Sequence, residues 1–123
     1  MISGSSEGEL EEIRRISDNV SALIDSERTV AGAALMKDRA DFQQVCKKAG
    51  IDCHVLDRRA TENYLTEAAI RKVKGPNYRS LQPFEKLKDV TPSWGKNENW
   101  RIAREMNIDD FIGTDLGLFL KSL

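Results

Sequence analysis

Long apolar runs are missing from this chain of 123 residues, and no stretch approaches the roughly 20 apolar residues that a membrane span requires. The N-terminal Met1-Ile2-Ser3-Gly4-Ser5-Ser6 lacks the basic and apolar regions of a secretory signal. A surplus of either charge is also absent: 32% of residues are charged, yet the net charge is -1, so no global basic field holds nucleic acid. Contact with DNA or RNA then needs a local patch, bridging metal ions, or further protein. Cysteine is scarce. Cys46 and Cys53 are the only two, and neither has a second Cys or His at zinc-binding spacing, which excludes a disulfide scaffold and predicts buried free thiols in a reducing cytoplasm. There are no repeats and no low-complexity linkers, and the length suits one domain.

The pattern that is there is α/β. Ser6 and Glu9 form a capping-box pattern, and Leu10, Ile13 and Ile16 recur at helical spacing, predicting a helix from about 7 to 16. Residues 20–24 are continuously apolar, as in a strand covered on both faces of a parallel sheet, and 28–36 read as a loop. Phe42, Val45, Cys46 and Ala49 mark a second helix over 38–49, stopped by Gly50, and 51–56 form a second strand. This order predicts two adjacent parallel strands. Beyond residue 65 the pattern turns helical. Thr66 caps a helix through about Val73, Gly75-Pro76-Asn77 turns, Pro83 opens a short helix through Lys88, another helix runs to about Met106, and Thr114 caps the last. We therefore expect a small parallel α/β core over 1–65 and a helical extension over 66–123 packed on it. Two strands make a marginal sheet, one that invites pairing with another chain.

Chemistry gathers where the strands end. Asp25 and Glu27 stand at i and i+2 after the first strand, presenting two hard oxygen donors to one side, as divalent-metal sites require. Solvated acids after an edge strand give the same pattern. The C-terminal strand edge, where α/β folds bind ligands, would also gather Asp57, Arg58, Arg59 and Glu62. Glu62 doubles as an acid favoured at a helix start. Arg58 and Arg59 suit surface ion pairs as well as phosphate contacts, and His54 suits a place within the sheet better than a catalytic base. Lys96 lies between Trp94 and Trp100 in a Gly-Lys-Asn turn that could approach a backbone phosphate, and both tryptophans could stack bases but read most simply as core. The basic run Arg71-Lys72-Val73-Lys74, with Tyr78 and Arg79, reads as a solvated helix end.

Leu23-Ile24-Asp25-Ser26-Glu27-Arg28, followed by Cys53-His54-Val55-Leu56-Asp57-Arg58-Arg59-Ala60-Thr61-Glu62-Asn63-Tyr64-Leu65, resembles the TOPRIM domain of the OLD (overcoming lysogenization defect) family of nucleases. Trp94-Gly95-Lys96 and the ending Gly113-Thr114-Asp115-Leu116-Gly117 with Phe119-Leu120 look similar too, so the resemblance spans roughly residues 16 to 123. It implies a partial TOPRIM-like, Rossmann-like fold and hydrolysis of nucleic-acid phosphodiesters, DNA rather than RNA, with Mg²⁺ or Mn²⁺. In that reading Asp25, Glu27 and Glu62 hold the metal, Glu62 and Lys96 are catalytic, and Arg28, Arg58 and Arg59 contact phosphate. The family pattern begins with a Glu-bearing strand that is not seen here, and its second strand acid is Asp where this chain has Glu27. The resemblance thus implies a partner, either an ABC-type ATPase or the rest of the domain, upstream or in another chain, and little turnover from this chain alone. A rival reading is a non-catalytic TOPRIM-like module that pairs with itself or a partner chain. A receiver-like phosphate-binding domain would need a Gly-rich loop and a Lys-bearing third strand, and neither is found.

Overall fold

Alternating apolar and helical periods produce the first half of the fold in the computed structural model, which describes residues 7–123. The Ser6 capping position lies outside them. Helix α1 (Glu7–Ile16) turns Leu10 fully inward, strand β1 (Ser21–Ile24) follows, and α2 (Lys37–Ala49) leads to β2 (Asp52–Val55). Gly50 ends α2 at φ 74, a left-handed conformation in which its N–H reaches the carbonyls of Cys46 and Lys47, and which a side chain would strain. The strands pair in parallel, Ser21 opposite Asp52 and Ile24 opposite Val55. Among the described residues the sheet has these two strands alone. Leu10, Ala22, Ile24, Phe42, Cys46 and Ile51 form the core between helices and sheet. Both cysteines are free thiols, Cys46 buried and Cys53 half-buried, and burial pushes the Cys53 thiol up to about 12.

The second half builds its own core. Helix α3 (Glu67–Lys74) is capped by the Thr66 hydroxyl, which accepts from the Ala69 N–H, and it packs Ala69 and Ile70 against Leu65, Leu81, Leu87, Val90, Trp94 and Ile102. Pro83 opens no helix: residues 83–84 form a turn, and a single 3-10 turn spans Leu87–Asp89. The buried Leu81 and Leu87 and the hydrogen bonds from Asn63 hold that segment in an irregular path. The helix expected to reach Met106 is shorter too, with a 3-10 turn at Lys96–Glu98 running into α4 (Asn99–Ala103). Helix α5 (Asp115–Ser122) starts at Thr114, whose hydroxyl accepts from the Gly117 N–H, and it returns to the first half, where Leu116 packs on Leu56 and Tyr64. No helix among the described residues is long and apolar enough to cross a membrane.

Candidate functional site

The parallel register brings both strand ends to one edge, and the backbone locks them there. The Glu27 N–H donates to the Arg59 carbonyl at 2.9 Å, and the Arg59 guanidinium returns a bond to the Glu27 carbonyl at 2.8 Å. Glu27 sits at φ 58, a conformation that costs a non-glycine residue on the order of 1–3 kcal/mol and is held by these bonds. Between the two acids, buried Ser26 donates to the Arg58 carbonyl at 2.8 Å.

Asp25 reaches across the edge. Its carboxylate accepts the Thr61 N–H at 3.1 Å, which caps a 3-10 turn over Thr61–Tyr64 with a side chain from a distant segment. Burial pushes the Asp25 carboxyl above its ordinary range; the Thr61 bond opposes this, and the charges of Glu62 and Glu27 add to it. Glu62, within that turn, is 5% exposed, and its ion-pair partner among the described residues is Lys96 at 3.5 Å. Glu27 is placed differently. Its carboxylate pairs with Arg59 at 2.9 Å and with Arg39 at 3.5 Å. The Glu-Asn-Tyr segment thus splits three ways: Glu62 faces the edge, Asn63 ties down the 82–85 turn through the Gln82 and Glu85 carbonyls, and Tyr64 donates to Asp115 at 2.6 Å.

Beside these residues lies a cleft of about 250 Å³ whose charged lining is Glu27, Arg59, Glu62, Lys86, Lys88 and Lys96. Four cations face two acids, and both acids are ion-paired. Lys86 and Lys88 carry no ion pair among the described residues. The cleft therefore offers positive charge to an anion of phosphate size. Among the described residues no three His, Cys, Asp or Glu side chains converge closely enough to hold a metal ion. Mg²⁺ keeps several waters and takes as few as one or two protein carboxylates with substrate phosphates, and the carboxylates at this edge are Asp25, on the Thr61 N–H, and Glu62, paired with Lys96.

The remaining candidates lie apart from the cleft. Arg28 donates to the Ala33 carbonyl at 2.8 Å within its own loop, and Arg58 stands over the Tyr64 ring at 4.8 Å while donating to the Asn63 carbonyl. Lys72, Lys74 and Arg79 are ion-paired with Glu105, Glu98 and Glu85, and Arg71 pairs with Glu67, so the basic run is spent internally. His54 lies on β2, its Nε2 2.7 Å from Asp115 and its ring stacked on Phe119. Sequence reasoning missed Arg39, Lys86 and Lys88. For the lysines a signal existed, since Lys86 and Lys88 flank a single apolar residue, Leu87, that must turn inward. Arg39 had none. Comparison of the chain with protein-family models, curated proteins and solved structures finds no match.

Proposed function

We propose that this edge is a divalent-metal site for cleaving nucleic-acid phosphodiesters, DNA rather than RNA, in the manner of an OLD-like TOPRIM nuclease. The supporting observation is that Asp25 is held on the N–H of Thr61, the residue before Glu62, beside a cleft lined with four cations. Asp25 and Glu62 are the metal ligands, and Glu27 joins them only by releasing Arg39 and Arg59. A bound Mg²⁺ or Mn²⁺ would neutralise charge on the phosphoryl oxygens and activate water. Lys96 shares its charge between Glu62 and a phosphate oxygen, and Arg59, Lys86 and Lys88 hold the backbone on either side. Arg28 and Arg58, spent on backbone carbonyls, buttress the edge instead of touching phosphate. Partners in this reading are an ABC-type ATPase or a Glu-bearing strand that widens the sheet.

Calorimetric titration with Mn²⁺ tests it: the wild type should bind weakly, and Asp25→Ala and Glu62→Gln should not bind. Equal or absent binding in all three overturns the site. The two-stranded sheet, with an open edge on each strand among the described residues, supports a second reading as a non-catalytic pairing module. Its mark is a stable oligomer in sedimentation that neither metal nor chelator changes.

A further inference from the structure

The two tryptophans that bracket Lys96 have opposite fates. Trp94 is 6% exposed in the second core and donates its indole N–H to Asn99 at 2.8 Å. Trp100, on α4, leaves 58% of its surface to solvent, contrary to its expected place in the core. Two guanidinium groups stand over the exposed ring, Arg104 at 5.2 Å and Arg101 at 5.6 Å from its centroid. Both arginines are exposed, and neither ion-pairs with a carboxylate among the described residues. The nearby acids are already taken, Glu98 by Lys74 at 2.8 Å and Glu105 by Lys72 at 3.1 Å.

An exposed indole face beside cations without counter-charge fits a flat π-system joined to anions. A nucleobase stacks on the ring while its flanking phosphates meet the guanidinium groups. The placement agrees with the cleft. Lys96 stands in the 3-10 turn that runs directly into α4, four residues before Trp100, and the Arg104 N–H bonds the Trp100 carbonyl, so all three belong to one short segment. Lys96 lines the cleft, so a strand that leaves the platform along this segment reaches it. A duplex buries its base faces in its own stack and cannot offer one to Trp100 without opening.

We propose that Trp100, Arg101 and Arg104 form a stacking platform for single-stranded nucleic acid that feeds the cleft. The platform rests on the reading of that cleft as a site for nucleic-acid phosphates. Fluorescence anisotropy of a labelled oligothymidylate with the full chain, in chelator and at low salt, tests it. The wild type should bind the single strand more tightly than a duplex of equal length. Trp100→Ala and the charge reversal Arg101→Glu with Arg104→Glu should each weaken binding about tenfold or more, with unchanged thermal melting. Intrinsic fluorescence should be quenched by unlabelled oligonucleotide in the wild type, and the quenching lost in Trp100→Phe, where only buried Trp94 emits. Unaltered binding in Trp100→Ala overturns the platform, as does self-association of the wild type that Trp100→Ala abolishes, which would make this a protein-binding face. Trp100-dependent binding in chelator without Mn²⁺ binding that depends on Asp25 and Glu62 keeps the platform and removes the nuclease reading. Asp25-dependent Mn²⁺ binding with Trp100-independent oligonucleotide binding does the reverse.

Discussion

Asn63, 2% exposed, uses every part of its amide: Nδ2 donates to two carbonyls of the 82–85 turn and Oδ1 accepts the Ala60 N–H at 3.1 Å. Asn63→Ala would strand buried polar groups on both sides, and it should lower stability by about 3 kcal/mol in urea unfolding. Asp25 behaves oppositely. Its carboxyl is raised by burial first and by the neighbouring acids, so the folded state favours the protonated form. That stabilising contribution is complete below the ordinary carboxyl range and is lost as pH rises through the raised value. Asp25→Asn keeps an oxygen for the Thr61 N–H and removes the charge, so thermal melting should show it more stable than the wild type at pH 7, with the gap closing in acid. Mn²⁺ should raise the wild-type midpoint at pH 7 and leave that of Asp25→Asn unmoved.

Helix α5 leans on polar contacts as well as on buried Leu116, since Leu118 is exposed and Asp115 bonds His54, Asp57 and Tyr64. Burial pushes the Asp115 carboxyl up, but hydrogen bonds from Tyr64, the Asp57 N–H and His54 more than reverse this and hold it below its ordinary range. A lowered carboxyl stabilises at pH above its ordinary value and loses that contribution as pH falls through it. Amide exchange should therefore show α5 opening before α2 as pH drops below about 4. Tyr64→Phe should bring the same opening at neutral pH, at a cost of about 1–2 kcal/mol.

Helices α1, α2 and α3 and both strands were legible because their signals are local: apolar spacing, the Thr66 cap and the Gly50 stop. The turn after Pro83 was not, because bonds from Asn63, some 20 residues away in sequence, decide its path. The acids of the candidate site were legible by position alone. Their partners were not, since the pairing of Glu27 with Arg39 and of Glu62 with Lys96 depends on how loops cross the strand edge. The general preference of large aromatics for a core held for Trp94 and failed for Trp100, because it does not say which face the second core leaves outside.

Across the whole molecule the charge is nearly balanced at -1, so polyanion affinity needs a local patch, and we propose two, the cleft and the α4 surface. Binding of single strands should then fall steeply with salt, and Lys86→Ala or Lys88→Ala should each reduce the logarithmic salt slope by about 0.7. Measuring anisotropy across a salt series reads that slope directly.

The Asp25 bond to the Thr61 N–H joins residues 36 positions apart, and the Glu62 pair with Lys96 joins residues 34 apart. Chain closure over such separations comes late relative to helix formation. The pair of acids at this edge is thus a clock for folding: a Mn²⁺-dependent signal in stopped-flow refolding should appear only with the slowest native phase, after the helical signal is complete.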